Sequence, residues 1–333
     1  MVVRFVARDR LAAALGLGAM ARSNAYADFS TSGLENPLSH LLLFALFASY
    51  LRVVHVPPAV SRGVRESGVR ARVAFLSGSS PRRLACLFAA LLLLNRADTL
   101  LLVAPVLAHL AWRGPWRKAL LDAVLGFAPL AAWGAFAFVY YGFLQPNTAV
   151  SKLNSDIPRA ELLGQGLVYL LDAIQRDPLT PILILLGAGL GLTRRSRPAL
   201  CVALGILLHL AYVVWIGGDF MAGRFLTLPF AASLALLSSS LFSEEDHGPL
   251  VVAAGAVAIL ALLSPYNPFR DGVKPKDLPR SGIVSEREWF LEHTGLSVNL
   301  RSPEYRNHPW WVEGRKARDG ADQVVVHANA GLF

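Results

Sequence analysis

Cysteine is nearly absent from this chain. Two occur in 333 residues, Cys86 and Cys201, both inside apolar stretches. That excludes a disulfide framework and a cysteine-based metal centre. Charge is scarce as well: 17% of residues are charged and 54% are hydrophobic. A balance this apolar excludes an ordinary soluble domain and implies an integral membrane protein. There is no Walker loop, dinucleotide-binding glycine fingerprint or nucleophile elbow, and no internal repeat. The +9 formal charge does not point to nucleic acid, because the arginines sit in short loops between apolar runs. That placement fits membrane orientation. Arg4, Arg8 and Arg10 precede a short apolar run, Leu11–Met20, that lacks a signal-peptide cleavage site.

What is present is a series of apolar segments. A membrane helix needs about 20 apolar residues. Leu34–Val54, Leu120–Phe143, Pro198–Ile216 and Phe225–Phe242 meet that length, Pro249–Ser264 is shorter, and Leu179–Leu192 is shorter still. Leu84–Trp112 is long but broken by Asn95-Arg96-Ala97-Asp98, which predicts two short helices forming a re-entering pair. The loops 55–83, 113–118 and 194–197 are rich in arginine, and the positive-inside rule makes them cytoplasmic. The 140–178 segment then reads as an outer loop, and residues from Pro265 onward as outer too, with a short strand at Gln323–Val326. The expectation is an all-α polytopic membrane protein, with a transmembrane domain over 1–264 and the start of an extracytoplasmic domain over 265–333.

Every unusual polar cluster falls on the same face of that map. Gly217-Gly218-Asp219-Phe220-Met221-Ala222-Gly223-Arg224 sets an acid and a base at a membrane boundary, where ionisable groups are costly. Asp219 suits an acceptor hydroxyl or a divalent ion, and Arg224 a phosphate, because a guanidinium forks onto two phosphate oxygens. A structural ion pair is the equal alternative. Asn147, Thr148 and Lys152, after Tyr140-Tyr141, suit a sugar hydroxyl and a lipid phosphate, although Pro146 also makes this an ordinary turn. Arg96 and Asp98 either face a cavity or simply pair with each other. Glu35 stands where a carboxylate favours a helix N-terminus, and that is the stronger reading, with contact to acceptor or metal as the functional alternative. His40, His109 and His209 lie alone on apolar segments and read as hydrogen-bonded core histidines.

The ordered set of Thr31-Ser32-Gly33-Leu34-Glu35-Asn36-Pro37-Leu38, Arg96-Ala97-Asp98, Pro146-Asn147-Thr148-Ala149 with Lys152, Gly217-Gly218-Asp219-Phe220-Met221, Gly223-Arg224-Phe225 and Gly282-Ile283-Val284-Ser285-Glu286-Arg287 resembles one family. These are the bacterial membrane glycosyltransferases of the GT-C class, and among them the terminal β-(1→2)-arabinofuranosyltransferases of mycobacteria. The resemblance implies a GT-C-like helical bundle in the cytoplasmic membrane with its active face extracytoplasmic. It implies a polyprenyl-phosphate sugar donor, a glycan acceptor and an inverting transfer by general-base catalysis. Asp219, Asp98 and Glu35 become the candidate catalytic or metal-contacting acids, and Arg96, Asn147, Lys152 and Arg224 the substrate-binding residues. A divalent cation is the cofactor to test. Such enzymes carry an acidic pair in the first outer loop, which Asp9 and Asp28 do not match. The expectation is a chain that starts and stops inside the family pattern, with a short non-catalytic paralogue as the alternative. A binding or transport protein for lipid-linked glycan remains the second reading.

Overall fold

Runs of leucine, alanine and valine with few interruptions favour helices whose backbone bonds are satisfied internally, as a membrane requires. The computed structural model describes residues 10–55, 80–144, 157–194, 196–239, 255, 279–288 and 309–320. Among them the chain is helical, with one isolated bridge between Met221 and Val284. The elements are α1 (Arg10–Arg22), α2 (Asn24–Thr31), α3 (Asn36–His55), α4 (Pro81–Asn95), α5 (Leu100–Trp112) and α6 (Trp116–Tyr141). They continue as α7 (Arg159–Arg176), α8 (Leu179–Thr193), α9 (Arg197–Trp215), α10 (Thr227–Ser238) and α11 (Pro309–Gly320). Three helices are long and apolar enough to cross a membrane: Asn36–Val54, Trp116–Tyr141 and Arg197–Trp215. The protein is an all-α polytopic membrane protein.

Local chemistry sets the boundaries. Ser23 caps α2 by accepting from the Tyr26 amide at 3.0 Å. Ser196 does the same for α9 from the Ala199 amide, with Pro198 in the first turn. Gly142, at φ +78°, ends α6 in the left-handed conformation. Inside the bundle, α10 is central: every residue from Thr227 to Ser238 except Leu237 is buried. It packs on α3, α8 and α9, while α4 lies between α3 and α6, and α5 lies against α9. The helix α6 is outermost, with only Ala119, Asp122, Gly126 and Ala137 buried.

The helix ends sort into two poles. At one, the Arg82 guanidinium donates to the Arg113 carbonyl, so the start of α4 meets the end of α5. The two helices therefore form the expected hairpin, with its apex at Asn95–Thr99 at the other pole. The arginine-bearing turns at 113–118 and 194–197 belong to the first pole. Glu35, the hairpin apex and the Gly217–Arg224 turn belong to the second.

Two expectations need adjustment. The 140–178 segment is not simply a loop, because α7 occupies most of its second half. Its apolar residues Leu163, Leu167, Leu171 and Ile174 form one exposed face, while Gly166, Tyr169 and Ala173 are buried on another. This amphipathic pattern fails a test for continuous apolar length but satisfies one for 3.6-residue periodicity. The expected span at Phe225–Phe242 begins with a 3-10 turn, Arg224–Leu226, before α10. The expected span at Pro249–Ser264 and the strand at Gln323–Val326 lie outside the described residues, apart from helical Gly255.

Candidate functional site

The second pole gathers charge from four parts of the chain. The turn between α9 and α10 needs glycine: Gly217, Gly218 and Gly223 have φ of +84°, +72° and +74°. At Gly218 a Cβ would also sit 2.6 Å from the Tyr169 ring. Tyr169, buried on α7, braces the turn. Its hydroxyl donates to the Met221 carbonyl at 3.2 Å and accepts from the Phe225 amide at 3.1 Å. This shape turns Asp219 and Arg224 toward each other.

Arg224 Nη1 donates to Asp219 Oδ2 at 3.1 Å, and Arg224 Nη2 donates to Glu35 Oε1 at 2.8 Å. Arg96 Nη1 stands 3.4 Å from the same Glu35 oxygen. Arg96 also forks onto Asp98, Nε to Oδ1 at 3.0 Å and Nη2 to Oδ2 at 2.5 Å. Its guanidinium lies 5.0 Å from the centre of the Phe225 ring. The result is a continuous alternation, Asp219–Arg224–Glu35–Arg96–Asp98, with three carboxylates against two guanidiniums. The Arg96 and Asp219 side chains are 5% and 2% exposed, so the array is largely removed from water. Two guanidinium groups retain unused capacity: Arg96 Nη1 and Arg224 Nε make no hydrogen bond.

Neutral bonds fix the backbone beneath this array. Asn95 Nδ2 donates to the Glu35 carbonyl at 2.9 Å and to Ser39 Oγ at 2.8 Å. Asn36 Nδ2 donates to Thr227 Oγ1 at 3.0 Å, and that hydroxyl donates to the Arg224 carbonyl at 3.1 Å. The starts of α3 and α10 and the end of α4 are thereby locked together.

A further segment, 279–288, lies over the turn. The Val284 amide donates to the Phe220 carbonyl at 2.7 Å, and the Ala222 amide donates to the Val284 carbonyl at 3.0 Å. Gln165 Nε2 donates to the Ser281 carbonyl at 2.8 Å. Arg287 meets Asp28 at 3.4 Å and Glu288 meets Arg176 at 3.0 Å. Beside them, Asp177 Oδ2 accepts from Ser23 Oγ, the Ala25 amide and Thr180 Oγ1, tying α2 to α8.

The carboxyl groups differ in electrostatics. Burial pushes Glu35 up, but the Arg224 hydrogen bond and the charges of Arg224 and Arg96 outweigh it and hold the group below its ordinary range. Burial pushes Glu286 up, opposed by Arg224 and reinforced by Asp219, and the balance is above the ordinary range. Burial pushes Asp28 up to about 6 despite the Arg287 charge.

Five of the seven expected site residues, Glu35, Arg96, Asp98, Asp219 and Arg224, come together. Asn147 and Lys152 lie outside the described residues. The three acids do not converge on one point, because guanidiniums separate them. Among the described residues there is no group of three or more His, Cys, Asp or Glu that could hold a metal. Of the histidines, His109 Nδ1 pairs with the Tyr50 hydroxyl at 2.6 Å and His40 stacks on Tyr26 at 4.4 Å. His209 is fully buried against the Asp98 and Phe225 backbones. Sequence reasoning missed Tyr169 and Asn36 as braces. Glu286 was visible only as part of the Gly282–Arg287 motif.

No family model matches the chain, and no solved structure does. Two curated proteins do, both described as terminal β-(1→2)-arabinofuranosyltransferase. The one from Corynebacterium glutamicum is 28% identical over 286 residues, covering 80% of this chain and 41% of the relative. The one from Mycobacterium tuberculosis is 28% identical over 326 residues, covering 85% of this chain and 48% of the relative. The chain spans less than half the length of these relatives. Over four fifths of its own length, it resembles the terminal β-(1→2)-arabinofuranosyltransferases.

Proposed function

We propose that this protein transfers a glycosyl residue, arabinofuranosyl by likeness to its relatives, from a polyprenyl-phosphate donor to a cell-envelope glycan. The transfer takes place at the outer face of the bacterial cytoplasmic membrane. The observation that carries this reading is the Asp219–Arg224–Glu35–Arg96–Asp98 array at one pole of an apolar bundle. Charge of this density is expensive in such a place unless a charged, membrane-bound ligand uses it. Arg96 and Arg224 each keep an N–H without a hydrogen bond, which suits a phosphate arriving beside them. In this reading they stabilise the charge that builds on the departing phosphate, in a site with little water to screen it. Asn147 and Lys152 take part in holding the donor, a role that rests on the family resemblance. Glu35, Asp98 and Asp219 hold the guanidiniums in place and contact the acceptor.

One observation favours a second reading, a protein that holds lipid-linked glycan without chemistry. Each of the three expected acids is already ion-paired, and an ion-paired carboxylate is a weak base. The discriminating experiment uses the natural full-length protein in liposomes with labelled prenyl-phosphoryl arabinofuranose and an oligoarabinofuranoside acceptor. The expected result is sugar transfer by the wild type. Arg96→Ala and Arg224→Ala each bind donor at least about tenfold more weakly, from loss of a charge-assisted contact worth about 1.5–3 kcal/mol. Donor binding without transfer by the wild type favours the holding protein. Unchanged donor binding in both variants overturns the phosphate role.

A further inference from the structure

We propose that α7 lies in the membrane plane at the charged pole, with the face formed by Leu163, Leu167, Leu171 and Ile174 seated in lipid at the boundary of headgroups and acyl chains. The proposal stands whether or not the protein transfers sugar.

The geometry begins where α7 meets the spanning helix α9. The Arg159 guanidinium lies 4.6 Å from the centre of the Trp215 ring. A Cβ at Gly217 would sit 3.1 Å from the Leu162 side chain, one at Gly166 would strike the Val214 backbone, and one at Gly218 would meet the Tyr169 ring. From Arg159 to Tyr169 is about 15 Å of helix. Over that length these contacts all fall on the last turn of α9 and the turn beyond it. A helix running alongside α9 would meet successive turns instead. Thus α7 crosses the end of a helix long enough to span the membrane, at the level where that helix leaves the bilayer. Trp215 suits that level, since tryptophan collects at the membrane–water interface. The chain fixes the other end of α7: only Asp177 and Pro178 separate it from the apolar helix α8.

Three sides of α7 carry three chemistries. Gly166, Tyr169 and Ala173 are buried against the bundle. Gln165, Asp172 and Arg176 form a polar side, which the 279–288 segment occupies: Gln165 donates to the Ser281 carbonyl at 2.8 Å and Arg176 meets Glu288 at 3.0 Å. On the remaining side Leu163, Leu167, Leu171 and Ile174 recur every three to four residues and are 42%, 55%, 56% and 49% exposed. A helix that rests on a bilayer has this division, apolar on one side and polar on another. Lipid is the occupant because the face continues the exposed apolar surface of its neighbours. On α9, Leu200, Leu204, Leu208 and Trp215 form an exposed stripe that ends against Arg159. On α8, exposed Ile182 and Leu185 follow directly after the end of α7. The charges of α7 cancel, Arg159 and Arg176 against Glu161 and Asp172, so the seat depends on apolar contact and not on anionic headgroups. Tyr169 bonds the Met221 carbonyl and the Phe225 amide, so the depth of the seat also sets the depth of the Asp219–Arg224 turn.

The test places a nitroxide on Leu167→Cys, Leu171→Cys and Glu161→Cys in turn, in the natural full-length protein reconstituted in phosphatidylcholine liposomes. Protein without the added cysteine, treated with the same reagent, supplies the background. Power saturation then compares relaxation by oxygen, which concentrates among acyl chains, with relaxation by a water-soluble nickel chelate. The expected result is that positions 167 and 171 respond to oxygen and are shielded from the chelate, at a depth of about 5–10 Å below the phosphates. Position 161, beside the polar side, responds to the chelate. Leu163→Cys and Ile174→Cys repeat the reading on the neighbouring turns, so the result does not hang on one variant. Relaxation by the chelate at 167 and 171 equal to that at 161 puts the face in water and overturns the proposal. Shielding of 167 and 171 from both agents also overturns it, because protein then covers the face, whether another segment of the polypeptide or a second copy. Oxygen contact without chelate contact at all three positions overturns it as well, since α7 is then immersed in the bilayer and not seated at its surface.

Discussion

At the charged pole, Asp28 faces Arg287 at 3.4 Å, with the like charges of Asp177 and Glu288 nearby. Burial dominates, and its carboxyl is pushed up to about 6 from an ordinary 3.8. The folded state therefore holds the proton more tightly than the unfolded chain does. That contribution to stability is complete below about pH 4 and is lost as pH rises through about 6, at a cost of about 3 kcal/mol at neutral pH. Asp28→Asn removes the titration. The measurement is the midpoint of thermal unfolding in detergent at pH 4.5 and 7.5. The wild type should lose more stability between the two than the variant does, and an equal loss in both would refute the assignment. Single residues of the candidate site were legible for one reason: ionisable groups in an apolar context are costly, so Glu35, Arg96, Asp98, Asp219 and Arg224 stand out. Their pairings were not legible. Arg224 and Glu35 are 189 positions apart, and nothing local in either segment names the other.

Among the elements, close helix crossings depend on glycine. Where α9 crosses α5, a Cβ at Gly205 would collide with the Leu102 carbonyl. Where α6 crosses α4, a Cβ at Gly126 would strike the Cys86 side chain. Small residues of this kind let helix backbones approach in membranes, where apolar burial alone gives little drive. Gly189, in the middle of α8, meets nothing within 4 Å. The two sites predict opposite outcomes. Gly205→Val forces α5 and α9 apart and should cost about 1–3 kcal/mol or more, read as a lower unfolding midpoint and poorer yield. Gly189→Ala should be neutral or stabilising by up to about 1 kcal/mol. Equal effects would remove the crossing as the explanation. Also in α8, Gly187 and Gly191 abut Ser233 and Ala203. The helix α7 was not readable from apolar length, because half of its surface is polar. Its signature is periodic, with Leu163, Leu167, Leu171 and Ile174 along one exposed face.

For the whole molecule, the two-pole arrangement follows from charge bookkeeping along the chain. Arginine in short loops sets one pole, and acids mixed with bases beside glycine turns set the other. The fold class and the hairpin at residues 95–99 were legible because membrane length and positive-inside bias are one-dimensional signals. The docking of residues 279–288 was not, since it depends on scattered partners at Asp28, Gln165, Arg176 and Phe220. The arrangement carries a test of sidedness. Lys118, at the start of α6, and Glu161, at the start of α7, are both exposed and stand at opposite poles. Cys86 is buried and Cys201 half-buried, so the parent protein sets a low background for thiol labelling. With a membrane-impermeant maleimide, Glu161→Cys should label in intact cells and Lys118→Cys only after permeabilisation. If both label in intact cells, the poles do not face opposite sides of the membrane. The charged array then loses its claim to a donor presented at the outer face. If the pattern is reversed, the site faces the cytoplasm, and a lipid-linked donor on that side must be sought.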